Sequence, residues 1–310
     1  MHDLGGSAMA AIATGHEAEH LRVGVDGVEL AVRVEGSGPP VVLVHGSLDD
    51  HRAWERVVPH LVAHHRIHTY DRRGHGRSTC PPGQGHISED VADLAGLIRT
   101  LGLDAPLVVG HSYGSSTSLL LGAHHPELTG GLLVHEPPLF TLLREDDSTR
   151  ALADQATEHM QHAAALIERG LVAEGLRTFV DGAAFGPGTW DGLFTPGIRQ
   201  ICIDNADTWL DQSRDPERLA VRPELLAGYP HPFVISHGSA SLPTYGPVAE
   251  RVAAAVPGAI RHVVPGAGHA PHLSHPEEFA QLVLETAARV AATRPSTGAL
   301  SGGRGRSSRP

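Results

Sequence analysis

The chain has 310 residues, 41% of them apolar, enough to bury a sizeable core as one large domain or two ordinary ones. Its 24 Lys plus Arg against 35 Asp plus Glu give a formal charge of -11, which disfavours nucleic acid and anionic membrane as partners and leaves a small neutral ligand as the better fit. Two cysteines, Cys80 and Cys202, cannot make a disulfide framework, and no run of about 18 apolar residues offers a membrane span, so a cytoplasmic protein, monomer or homodimer, is expected.

Residues 1–19 read as a flexible leader with neither a basic n-region nor a long apolar h-region. It contains His16-Glu17-Ala18-Glu19-His20, an H-E-x-x-H run, but a short polar segment has no core to hold an ion and no third ligand at a fitting distance, so no metal is expected. Two alternating runs, "LRVGVDG" and "VELAVRVEG", are joined by Asp26-Gly27 and predict a tight hairpin. "VVLVHG" is a continuous apolar run, as in a strand buried on both faces. "HRAWERVVPHLVAHH" then reads as a helix, "RIHTYD" as a strand and "SEDVADLAGLIRTLG" as a helix opened at Ser88. "PLVVGHS" is a strand, "GSSTSLLLGAHHPE" a helix and "GGLLVHE" a strand. This alternation implies a mostly parallel sheet with helices on both faces.

From Pro137 the pattern changes to helices with irregular breaks, and alternation resumes with "PFVISHG", "PVAERVAAAVPG", "IRHVVPG" and "PEEFAQLVLETAARVAA". Residues 137–228 are therefore an insertion in an α/β core formed by residues 20–136 and 229–293. Residues 294–310, rich in Gly, Ser and Arg without hydrophobic periodicity, read as a disordered tail. Most of the 23 histidines, scattered as in "PHLVAHHRIH" and "LGAHHPE", are expected on the surface.

The strongest chemical signal is Gly110-His111-Ser112-Tyr113-Gly114, a G-x-S-x-G between an apolar strand and a helix. Such a turn strains the backbone of Ser112 and displays its hydroxyl at the C-terminal edge of the sheet, over a helix N-terminus that favours negative charge. A serine needs a base, and His269 in "VVPGAGHAPHLSHPEEF" stands in a Gly-rich loop before the last helix, ahead of the competitors His272 and His275. The developing oxyanion needs rigid backbone donors. These are expected from the N–H of Tyr113 and, after "VVLVHG", that of Ser47.

Together "VVLVHGS", Trp54, "YDRRGHGRS", "VVGHSYG" and "GAGHAPHLSHPEEF", in this order, resemble the α/β-hydrolase superfamily from about Leu21 to Ala292. The resemblance implies an eight-stranded, mostly parallel sheet, a Ser-His-acid triad, no cofactor and a helical cap after the sixth strand. It also gives Asp71 a structural place in its turn. Where that family carries its acid after the seventh strand, as in H-G-x-x-D, this chain has His237, Gly238, Ser239, Ala240 and Ser241. A hydroxyl at Ser241 cannot stabilise imidazolium as a carboxylate does, and Ser241 is expected to be an ordinary loop residue. Glu136, at the end of "GGLLVHE", lies beside the nucleophile on the same sheet edge and is the expected acid. His135-Glu136-Pro137-Pro138 is similar to the His-Glu-x-Pro run of the zearalenone-type lactone hydrolases, which place their acid after the sixth strand.

Dehalogenases and epoxide hydrolases of this fold attack with Asp, whereas Ser112 implies acyl chemistry: an ester or lactone of a mostly apolar small molecule. The alternatives on the same fold are a C–C bond hydrolase of vinylogous diketones, a cofactor-free oxygenase or perhydrolase, and a non-catalytic ligand receptor. Leu48, Phe185, Trp190 and Trp209 are candidate walls of the substrate pocket.

Overall fold

A computed structural model describes residues 18–294 with the exception of residue 220. His16 and Glu17 of the H-E-x-x-H run and the tail from residue 295 lie outside the described residues. Glu19 belongs to a strand with His20, so the expected leader gives its last residue to the sheet.

Eight strands form one sheet: β1 (Glu19–Val25), β2 (Val28–Glu35), β3 (Pro40–Val44), β4 (Arg66–Tyr70), β5 (Leu107–His111), β6 (Gly131–His135), β7 (Phe233–Gly238) and β8 (Ile260–Val264), in the order β1-β2-β4-β3-β5-β6-β7-β8. The first two pairings, β1 with β2 and β2 with β4, are antiparallel and the rest are parallel. Asp26 and Gly27 both take positive φ, 40° and 88°, which turns the hairpin in the hand of the sheet's twist. The central strands bury both faces by strict alternation. Val42, Val44, Val108 and Val134 pack with one set of helices, while Val41, Leu43, Val109 and Leu133 pack with the other.

On the first face lie α1 (Ile87–Thr100), α2 (Tyr113–His124) and, later in the chain, α9 (Tyr245–Ala255). The second face is covered by α11 (Pro276–Thr293), which follows the short α10 (Pro271–Ser274), and by the segment after β3. That segment is not the single helix that its apolar spacing predicts. It forms two 3₁₀ turns, His51–Trp54 and Val58–His60, because Pro59 lacks an N–H and its ring would clash with the preceding turn of an α-helix. Helix α1 begins one residue before the expected Ser88. The Glu89 carboxylate accepts from His86 N–H at 3.0 Å, and Asp215, distant in sequence, accepts from Ile87 N–H at 2.8 Å.

Between β6 and β7 the chain folds into α3 (Asp147–Glu168), α4 (Val172–Phe179), α5 (Thr189–Gly192), α6 (Pro196–Asp204), α7 (Ala206–Arg214) and α8 (Pro216–Leu219). This insert has its own apolar cluster of Leu176, Phe179, Trp190, Phe194 and Trp209, joined from below by Leu48 of the loop after β3.

Candidate active site

Ser112 sits between β5 and α2 with φ 53° and ψ -120°, a conformation in which an L side chain is strained. The turn is held by sterics on both sides. A Cβ on Gly110 would come within 2.5 Å of Gly114 O, and one on Gly114 within 2.3 Å of Val44 O, so neither flank admits a side chain. The Ser115 hydroxyl fastens the elbow to the next strand, donating to Gly110 O at 2.8 Å or His135 O at 2.9 Å and accepting from His135 N–H at 3.0 Å. Ser112 itself is nearly covered, at 8% exposure.

One strand over, Glu136 takes φ 51°, a second left-handed residue without the freedom of glycine. The twist lifts its side chain off the sheet edge, with its backbone N–H donating to Ser236 O at 3.1 Å. Its Oε2 lies 2.6 Å from His269 Nδ1, and its Oε1 accepts from Gly238 N–H at 2.8 Å and from the Ser241 hydroxyl. Burial alone would raise the Glu136 pKa. His135, His269 and the Ser241 hydrogen bond outweigh it and hold the carboxyl below the usual range. With Nδ1–H given to Glu136, the lone pair of His269 is at Nε2, a buried atom with no hydrogen-bond partner among the described residues. The imidazole is clamped between the Tyr245 ring, stacked at 4.6 Å and 16°, and Phe185, edge-on at 4.7 Å.

The loop after β3 is pressed against the nucleophile. A Cβ on Gly46 would stand 3.3 Å from Ser112 Cβ and 3.0 Å from His111 Nδ1, which places the neighbouring Ser47 at the same edge as Tyr113. The Ser47 carbonyl lies 3.0 Å from His75 Nε2, which keeps the loop close to the turn after β4. Arg72 donates to Gly46 O at 2.9 Å and pairs with Asp90 at 2.9 Å, so this loop is braced from beneath.

Four expectations change in detail. Phe185 meets His269, but Trp190 and Trp209 are buried inside the insert, Trp209 at 4.7 Å from Phe179, and pack its core rather than an open wall. Leu48 is likewise covered, bridging the loop and the insert. Ser241 is no ordinary loop residue, since its hydroxyl donates to the Glu136 carboxylate. The register that lacked a carboxylate was its signal. Finally, His45, His68, His75, His111, His135, His269 and His272 are all buried, whereas the histidines in the quoted polar runs, His68 apart, do stay at or near the surface. His111 donates from Nε2 to His269 O at 2.8 Å, His272 packs on Trp54, and His275 is tied to Ser274, so His269 is the histidine that reaches Glu136. Asp71 accepts from the N–H groups of His51 and Arg77, each at 2.9 Å, and holds its turn as expected.

A cavity of about 550 Å³ opens between α3, the end of α7 and the segment after β6, bordered by Phe140, Met160, Ala164 and three arginines. Phe140 packs at 5.5 Å on Tyr245, the ring stacked on His269. Cys80 is exposed, Cys202 is buried, and both are free thiols. Among the described residues no helix is long and apolar enough to cross a membrane.

The profile of the alpha/beta hydrolase family matches residues 41–282 of the chain. The 2-hydroxy-6-oxo-6-(2'-aminophenyl)hexa-2,4-dienoic acid hydrolase of Metapseudomonas resinovorans is 24% identical over 274 residues, 87% of this chain and 91% of that protein. Fluoroacetate dehalogenase of a Burkholderia species is 30% identical over 204 residues, 64% of this chain and 65% of its own. Among solved structures, Est816, an N-acyl homoserine lactone degrading enzyme, shares the fold with a TM-score of 0.68 at 22% identity, over 86% of this chain and 99% of that one.

Proposed function

Because the chain belongs to the alpha/beta hydrolase family, we propose that it is a serine hydrolase that cleaves an ester or lactone of a small molecule through an acyl-enzyme. The observation that carries this reading is the 2.6 Å pairing of His269 Nδ1 with Glu136 Oε2 beside the strained Ser112. His269 Nε2 takes the Ser112 proton as the hydroxyl oxygen attacks the carbonyl, and Glu136 stabilises the imidazolium that results. The backbone N–H groups of Ser47 and Tyr113 receive the oxyanion. His269 then protonates the leaving oxygen, and a water activated by the same base releases the acyl group from Ser112. The helical insert acts as a cap that roofs the pocket.

A screen of p-nitrophenyl esters and of small and macrocyclic lactones tests this, run on wild type, Ser112→Ala and Glu136→Gln. Turnover abolished by Ser112→Ala is the expected result. Turnover that survives Ser112→Ala sinks it. The relative that hydrolyses a 2-hydroxy-6-oxo dienoic acid spans 91% of its own length with this chain, which favours one second reading, hydrolytic C–C cleavage of a vinylogous diketone. Adding such a dienoate to the screen separates the two bond types.

A further inference from the structure

The cavity bordered by Phe140 carries on its wall a buried charge that has no ion-pair partner among the described residues and no part in the catalytic reading. Arg218, on α8, is 7% exposed and borders this cavity. Its Nη1 donates to Gln212 O at 2.9 Å and, among the described residues, its Nη2 reaches only the Met160 sulfur, at 3.8 Å. Its Nε makes no hydrogen bond, and no carboxylate pairs with it among the described residues. Asp215 is the acid that acts on it, but the carboxylate oxygens of Asp215 are engaged by His86, Glu217 N–H and Ile87 N–H. The two other arginines on the cavity are neutralised, Arg214 by Glu168 at 2.5 Å and Arg144 by Asp154 at 3.3 Å. A buried guanidinium without a carboxylate is costly to the fold, and such a site persists where a ligand supplies the missing charge. Phe140, on the wall of this cavity, packs at 5.5 Å on Tyr245, whose ring stacks on His269, so the cavity lies two rings away from the proposed base.

We infer that Arg218 receives a carboxylate of the substrate, making this a hydrolase of esters or lactones whose acyl part ends in an acid. The acyl chain runs past Phe140 and Tyr245, and the carboxylate meets the planar fork of the guanidinium. This substrate class rests on the hydrolase reading above.

The test is a series of mono-p-nitrophenyl esters of succinic, glutaric, adipic and pimelic acids, each compared with the neutral ester of equal length. Wild type is expected to favour one acidic ester over its neutral counterpart by roughly tenfold or more in kcat/KM. In Arg218→Gln that preference collapses, mostly through KM. Arg218→Lys, which keeps the charge and loses the fork, retains part of it, while Arg177→Gln, an exposed arginine of the insert, retains all of it. Separately, the free diacid of the preferred length raises the Tm of Ser112→Ala by about 2 °C or more, and not that of Ser112→Ala/Arg218→Gln. A wild type that prefers neutral esters throughout, or an Arg218→Gln that loses both ester types equally while folded, overturns the proposal. If no ester is cleaved but the diacid still stabilises Ser112→Ala through Arg218, the hydrolase reading fails and the carboxylate site stands.

Discussion

The ends of β5, β6 and β7 and the helical insert are built on opposite terms. At the strand ends, position is fixed by close contact. Two non-glycine residues, Ser112 and Glu136, are held at positive φ on adjacent strands, and glycines stand where a Cβ would fall within 2.5 Å of backbone. The insert instead is held by an ordinary apolar cluster around Trp209 and Phe179. The difference teaches that the proposed reacting groups are held by the sheet with no slack, whereas the insert touches them chiefly through Phe185 and is free to vary elsewhere on its surface.

The comparison is tested hardest at Glu136. Glu136→Gln leaves the fold and the Gly238 contact in place but removes the charge opposite His269, and a fall of about 10²- to 10⁴-fold in kcat with little change in KM is expected. A loss below tenfold would show that the strand end is not the rigid catalytic element described. In the insert the expected result is the reverse. Trp209→Ala costs about 3–5 kcal/mol of stability, read from denaturant midpoints, while the folded fraction still labels at Ser112 with a fluorophosphonate. Labelling lost at full folding would mean the insert shapes the nucleophile directly.

Acid separates the two regions again, because the buried histidines belong to the α/β core and not to the insert. Burial lowers His75 and His272 to about 3 and His135 to about 4, against 6.5 in the unfolded chain. Below pH 6.5 the unfolded chain takes up protons that the folded one refuses, so stability falls as the pH drops toward 4, and urea midpoints at pH 7.5, 6 and 5 should decline in that order. A flat profile would mean these rings are solvated. The smallest effect is at Ser241. Ser241→Ala loses one hydrogen bond to Glu136, and a fall of roughly tenfold in kcat is expected. Ser241→Asp in a Glu136→Ala background should recover activity by about tenfold over Glu136→Ala alone, since the new carboxylate starts beside the one removed. No recovery would show that the acid works only from β6.

Much of the fold was legible because its signals are local. Alternating apolar runs announced the strands, Asp26-Gly27 the hairpin, and the glycines around Ser112 the elbow, each through a steric or periodic rule that acts over a few residues. The segment at 51–65 misled because its helical spacing is visible at a glance, while the veto comes from one atom, the missing N–H of Pro59. The histidines misled because burial is a property of partners: His111 is buried since a carbonyl, His269 O, lies across the site to receive its proton.

What the sequence determined by itself was the set of candidate groups and the strand ends they stand on, since side-chain chemistry and strand–turn–helix order are written along the chain. Only the tertiary structure decided which of them meet. It brought Glu136, just past the end of β6, to His269 of a loop 133 residues away, made Ser241 a donor to that carboxylate, drew Trp190 and Trp209 into the insert's core, and left Arg218 on a cavity wall with no carboxylate paired to it among the described residues. Those outcomes depend on distances between segments far apart in the chain, and hydrogen bonds and burial act only at contact.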